Sequence, residues 1–193
     1  MIIISGGTSG LGKAITKDLR EKGNRVITLS RKSISSKDHF QCDISNYSSL
    51  KSVCKKINAI NEKVKVFINC AGIASMNLAL MTPANVTQNL INTNLVGTIY
   101  TNQLFSPLLI KAGGGRIINF STIAVSMALA GESIYVASKA GVEAFSRTLA
   151  RELAPFNITV NCIAPGPIKT PLIKGISEQN IKKIINQQII KKE

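Results

Sequence analysis

Ile2-Ile3-Ile4-Ser5-Gly6-Gly7-Thr8-Ser9-Gly10-Leu11-Gly12 decides the reading of the whole chain. A short β-branched run, Ile2–Ser5, has the composition of a buried strand. It passes directly into a glycine-rich turn, and Gly10–Lys22 then shows apolar contacts at Ala14, Ile15 and Leu19, as a helix would. Strand, glycine-rich turn and helix in that order form the anion-receiving corner of an open α/β sheet. The spacing is G-x-x-x-G-x-G and departs from the G-x-G-x-x-G fingerprint, but the physics is shared. Glycines let the backbone approach a pyrophosphate, and free N–H groups at a helix N-terminus receive it. Thr8 and Ser9 add hydroxyl donors. A purely structural turn is the competing reading of this segment. A Walker loop is excluded, because Gly12-Lys13 is followed by Ala14 and not by Ser or Thr.

Outward from this corner, β-branched runs and helical patterns alternate. Strands are expected at Arg25–Ser30, Val64–Asn69, Arg116–Ser121 and Thr159–Ile163, with another short one ending near Asp43. Helices are expected at Ser48–Asn61, at Thr87–Leu109 with a stop near Pro107, at Tyr135–Leu153 and at Ser177–Ile190. This alternation predicts a doubly wound α/β fold of the Rossmann type, a parallel sheet with helices on both faces. No repeat, linker or composition shift divides the chain, so residues 1–193 are expected to form a single dinucleotide-binding domain. Its catalytic helix is expected at 135–153 and its substrate-side segment at 165–190.

Composition narrows the function classes. With 45% hydrophobic and 18% charged residues, the chain can bury a core, which excludes a disordered tail. No apolar run is long enough to cross a bilayer, and the N-terminus lacks the basic region of a signal peptide, so the expected location is the cytoplasm. The net charge of +14 raises nucleic acid as a partner. The lysines are nevertheless scattered along the chain without an aromatic-interleaved stripe, and nucleic-acid binding ranks last. Cys42, Cys54, Cys70 and Cys162 form no C-x-x-C pair, so no metal site is expected and the thiols are read as reduced. His39 lies in a polar stretch and is read as an exposed loop residue.

Two further places carry chemistry. Strand two ends Ser30-Arg31-Lys32, with no carboxylate to accept from a ribose 2′-hydroxyl. Arg31 offers a donor fork suited to a phosphate there, which favours NADP(H) over NAD(H). Asp43 caps the segment after it or accepts from an adenine amine. Tyr135-Val136-Ala137-Ser138-Lys139 places a phenol and an ammonium on one helix face. The ammonium is expected to lower the phenol pKa, so that Tyr135 exchanges a proton. An ordinary buried Tyr beside a solvated Lys is the competing reading.

The wider set of segments resembles the short-chain dehydrogenase/reductases, particularly members like 3-oxoacyl-acyl-carrier-protein reductase. The matching stretches are Gly6–Gly12, Asn69-Cys70-Ala71-Gly72, Asn92–Gly97, Asn119-Phe120-Ser121-Thr122, Tyr135–Lys139 and Pro165-Gly166-Pro167-Ile168-Lys169-Thr170, in the family's order over nearly the whole chain. The resemblance implies an oxidoreductase that moves a hydride between nicotinamide and a carbonyl or alcohol, with a 3-oxoacyl thioester as one candidate substrate. It implies Tyr135 as the proton donor and Lys139 as the holder of the nicotinamide ribose. Asn94 would support a relay water. Thr122 would be the catalytic hydroxyl by register, with Ser121 as the alternative. Gly6, Thr8, Ser9, Gly10, Leu11 and Gly12 would bind the cofactor together with Arg31 and Asp43. Asn69, Ala71 and Gly72 would line its adenine-ribose side and brace the sheet, while Pro165, Gly166, Ile168 and Thr170 would lie on its nicotinamide side. Family members continue past a helix like Ser177–Ile190 with a last strand, so the resemblance also implies a shortened chain of reduced activity. It implies a homodimer through the helices containing Asn94 and Lys139. The alternative function is a catalytically weak or silent nucleotide-binding or interaction protein.

Overall fold

The computed structural model describes residues 1–173 and 178–187. Six parallel strands form one sheet in the order β3-β2-β1-β4-β5-β6. They are β1 (Ile2–Ser5), β2 (Val26–Ser30), β3 (His39–Gln41), β4 (Val66–Asn69), β5 (Gly115–Phe120) and β6 (Ile158–Ile163). Among the described residues, β6 pairs only with β5 and stands at the edge. The helices are α1 (Gly10–Glu21), α2 (Tyr47–Asn58), α3 (Ala84–Ile91), α4 (Gly97–Lys111), α5 (Ala124–Met127), α6 (Ser133–Leu153) and α7 (Glu178–Gln187). The helix expected over Ser177–Ile190 is thus described as α7, and Ser177 and residues 188–190 lie outside the described residues.

The sheet separates two apolar layers because alternate side chains leave opposite faces of a strand. Ile3, Ile27, Leu29, Phe67 and Ile117 join Leu50, Val53 and Ile57 of α2 and Phe105 and Leu109 of α4. The Phe67 and Phe105 rings are 5.1 Å apart between centroids. Ile2, Ile4, Val26 and Ile68 face the other way, onto Ile15 and Leu19 of α1. β1 is buried at every position, as expected of a central strand covered on both faces. Strand order reverses between β1 and its neighbours β2 and β4, which opens a crevice at their carboxyl ends.

Two expectations are corrected here. The single helix over Thr87–Leu109 is three pieces: α3, a π-helical turn at Asn92–Val96, and α4. Pro107 lies inside α4, which runs on to Lys111. A π turn keeps the apolar period nearly intact, so the sequence pattern conceals it. His39 is no exposed loop residue; it begins β3 and is buried. Its Nδ1 pairs with Thr28 Oγ1 at 2.9 Å and its Nε2 with Lys32 O at 2.8 Å. The polar neighbours that suggested a loop are the short edge around a strand whose His is fully hydrogen-bonded.

Candidate active site

The glycine-rich turn folds so tightly because Gly12 has no room for a side chain and Gly10 takes a backbone conformation that favours glycine. A Cβ on Gly12 would stand 2.4 Å from Gly6 O, and Gly10 opens α1 at φ +47°, in the left-handed region. Ser9 occupies the N-cap position without a side-chain capping bond, which leaves the first amides of α1 facing the crevice. Gly6, Thr8, Ser9, Gly10, Leu11 and Gly12 all line a cleft of about 810 Å³. The cleft continues past Arg31 and Asp43 and past Ala71 and Gly72 to Thr122, Tyr135 and Lys139. Pro165, Gly166, Ile168 and Thr170 close its far side, and a Cβ on Gly10 would be 3.3 Å from Thr170 Cβ. An elongated anion-bearing ligand fits this shape: a cradle of backbone N–H groups at one end, and buried titratable groups at the other.

Arg31 is exposed and has no carboxylate partner among the described residues; its backbone oxygen accepts from Gln41 Nε2 at 3.0 Å. Asp43 takes the capping alternative with one oxygen: Oδ1 accepts from Ser45 N at 2.9 Å and from Ser45 Oγ at 2.7 Å. Asn69 is 2% exposed and does not line the cleft. Its Oδ1 accepts from Ser5 Oγ and its Nδ2 donates to Thr98 Oγ1 at 2.8 Å, so it braces β1 and β4 against α4.

At the other end, Tyr135 and Lys139 are 8% and 6% exposed. Lys139 Nζ donates to Phe120 O at 2.8 Å. Gly72 leaves room for that ammonium, since a Cβ there would lie 3.4 Å from Nζ. Burial pushes the Lys139 pKa down to about 8. Burial pushes the Tyr135 phenol up to about 12, with further repulsion from Glu132, while the Thr122 hydroxyl lies close enough to favour the ionised phenol. The expectation that Lys139 lowers the Tyr135 pKa is therefore not met. The helix face is shared, but desolvation outweighs any neighbouring charge and the ammonium is turned to Phe120 O. Ser121 and Thr122 both line the cleft and differ in partner: Thr122 Oγ1 accepts from Ala124 N at 3.2 Å and lies near the Tyr135 phenol, while Ser121 Oγ donates to Glu143 Oε1 at 2.5 Å.

Asn94 is fully buried in the π turn. Its Oδ1 accepts from Ile73 N at 2.9 Å, and its Nδ2 donates to Ile73 O at 2.9 Å and to Ser138 Oγ at 3.1 Å. Both amide protons are used, and the side chain pins the loop after β4 to the catalytic helix. Sequence reasoning missed Glu132 and Glu143. Glu132 lines the cleft at 6% exposure beside Tyr135, and burial raises its pKa. Glu is not a preferred N-cap residue, so nothing local marked it. Glu143 falls one helical turn beyond Lys139, a signal that was available in the spacing.

A family model described as short chain dehydrogenase matches residues 1–181. The chain belongs to the short-chain dehydrogenase family, and it is an oxidoreductase enzyme of that type. Carbonyl reductase family member 4 of Xenopus tropicalis is 34% identical over 94% of this chain and 81% of its own length. The 3-oxoacyl-[acyl-carrier-protein] reductase of Homo sapiens is 31% identical with the same coverage, 94% and 81%. The crystal structure of a short chain dehydrogenase from Burkholderia cenocepacia J2315 in complex with NADP superposes with a TM-score of 0.82 at 27% identity, over 91% of this chain and 75% of that one. The family works with a nicotinamide cofactor. No helix among the described residues is long and apolar enough to cross a membrane.

Proposed function

We propose that this protein is an NADP(H)-dependent carbonyl reductase of the cytoplasm, acting on a small carbonyl compound such as a 3-oxoacyl thioester. The observation that carries the reading is the buried Tyr135–Lys139 pair beside Thr122, in the same cleft as the glycine-rich cradle. Gly6 to Gly12 would hold the pyrophosphate, Arg31 the 2′-phosphate, and Asp43, Ala71 and Gly72 the adenosine. Lys139 would hold the nicotinamide ribose, and Pro165, Gly166, Ile168 and Thr170 the nicotinamide side. When bound, the cofactor supplies the hydride. Tyr135 gives its phenolic proton to the carbonyl oxygen, so ketone becomes alcohol. Thr122 donates to that oxygen and orients the phenol. Asn94 holds the floor of the site through Ile73 and Ser138.

Arg31 at the end of β2, with no acidic residue beside it, supports NADP(H) over NAD(H). The names of the relatives support carbonyl and 3-oxoacyl substrates, and the +14 charge suits an anionic acyl carrier. Exposed Ala144 and Thr148 beside half-buried Ala140, Phe145 and Leu149 leave a small-residue face on α6, which supports a homodimer through α4 and α6. All four cysteines are unpaired, in keeping with a reducing compartment. We treat residues 1–193 as one domain. The test is NADPH oxidation with an acetoacetyl thioester and with simple ketones, beside NADH. A protein that binds NADPH but reduces none of them would support the silent nucleotide-binding alternative.

A further inference from the structure

Three consecutive residues at the end of β5 reach α6 at three successive turns. Phe120 O accepts from Lys139 Nζ at 2.8 Å, Ser121 Oγ donates to Glu143 Oε1 at 2.5 Å, and Thr122 lines the cleft together with Tyr135, its Oγ1 accepting from Ala124 N at 3.2 Å. On the helix, Tyr135, Lys139 and Glu143 recur every fourth residue and share one face. The reaction uses the two outer contacts and leaves the middle one unassigned.

The middle contact is built like a strut. Ser121 is 5% exposed, and its backbone N–H donates to Ile163 O at 2.8 Å, so the main chain is tied to β6 while the side chain is tied to α6. The Glu143 side chain is 27% exposed, and its salt-bridge partner, Arg147, lies 4.0 Å away with 73% exposure. An exposed pair at that distance contributes little. A hydroxyl-to-carboxylate bond of 2.5 Å is of the short, charge-assisted kind. Ser121 directly follows the last residue of β5, one residue before Thr122 and one after the carbonyl that Lys139 uses.

We propose that Glu143 is a positioning residue for the reduction: through Ser121 Oγ it sets the end of β5, so that Phe120 O meets Lys139 and the Thr122 hydroxyl meets Tyr135. The proposal rests on the reductase reading above, and its test has one readout that needs no turnover. Glu143→Ala and Ser121→Ala each lower kcat about tenfold with KM for the carbonyl little changed, because the loss falls on transition-state geometry. The double variant is no worse than either single, as two ends of one contact require. Glu143→Gln keeps an acceptor oxygen and recovers most of the rate.

In the cofactor-free protein, lysine labelled with carbon-13 at Cε reports the Lys139 titration, assigned by Lys139→Met. Without a fixed Phe120 O the ammonium loses its acceptor, so Ser121→Ala and Glu143→Ala both move that midpoint down. Ser121→Ala keeps every charge, and the thiols of Cys70 and Cys162, which also act on Lys139, are common to the whole set. A Ser121→Ala variant with wild-type kcat and an unmoved Lys139 midpoint would overturn the proposal. So would additive losses, or a Glu143→Gln variant as slow as Glu143→Ala. A wild-type protein without turnover would sink the reductase reading instead, and the Lys139 midpoint would still decide the strut.

Discussion

The two ends of the cleft are built by opposite means. At the cofactor end, β1, the glycine turn and α1 present backbone: Gly12 is packed against Gly6 O and the first amides of α1 face the crevice without a side-chain cap. At the catalytic end, β5 and α6 present side chains, each held by a partner some 13 to 22 residues away in sequence. The first end is a shape that a short stretch of sequence dictates locally. The second is an arrangement that only the folded sheet brings together. Damage should differ accordingly: substitution at the glycine end fails by exclusion, and substitution at the catalytic end fails by lost chemistry with the fold intact.

The largest expected effect is at the catalytic end. Tyr135→Phe removes the transferable proton, so kcat falls by about 10³-fold, in the range for general-acid loss. NADPH affinity stays within about twofold, since the ring and its packing remain. Steady-state rates and a cofactor titration check both halves.

Gly12→Val tests the other end. Its Cβ would stand 2.4 Å from a backbone oxygen, so the turn must open. Overpacking of this kind costs about 1–3 kcal/mol of stability, read from urea melts. NADPH affinity should fall about 100-fold or more, because the amides no longer converge. If Gly12→Val bound NADPH normally, the contrast between the two ends would break.

A smaller effect sharpens the comparison at the ribose. Arg31→Asp exchanges a phosphate-binding fork for a carboxylate that suits a 2′-hydroxyl. The ratio of NADPH to NADH affinity should fall about 100-fold, two charge-assisted contacts having been lost and repulsion gained. Equal affinity of the wild type for both cofactors would contradict the assignment.

The smallest effect is in stability against pH. The Lys139 pKa is depressed from 10.5 to about 8 in the fold. Between those values the unfolded chain binds more protons than the folded one, so this group makes stability rise with pH across that window. Tyr135 acts oppositely at higher pH: its pKa is raised from 10.0 to about 12, so above pH 10.0 the unfolded chain loses a proton that the fold retains. Lys139→Met should flatten the rise between about pH 8 and 10 in urea melts of the cofactor-free protein. A rise unchanged in Lys139→Met would assign it to another group.

Legibility in the sequence followed the same division. The strands, the glycine turn and the Tyr135–Lys139 pair were readable because β-branched runs, glycine spacing and a four-residue helical repeat are local signals. Ala71 and Gly72 were readable from motif order as residues that line the cleft. What the sequence withheld depends on long-range partners. That Ser121 is tied to Glu143 and Thr122 is not depends on how α6 packs against the end of β5, which no local pattern contains. The direction of the Tyr135 pKa depends on burial, which a helical wheel does not contain. His39 and the π turn at Asn92–Val96 were misread for a related reason: a buried polar residue with two partners looks like a loop, and one extra residue in a helical turn hardly disturbs the apolar period.

Tyr135, set by the grip between β5 and α6, is proposed to protonate a carbonyl as hydride arrives from NADPH. The most direct measurement is transfer of deuterium from NADPH labelled at nicotinamide C4 to an acetoacetyl thioester, followed by mass spectrometry of the alcohol. Deuterium is expected on the carbinol carbon with the wild-type chain, and almost none with Tyr135→Phe at equal NADPH occupancy. An alcohol formed without deuterium, or formed as fast by Tyr135→Phe, would contradict it.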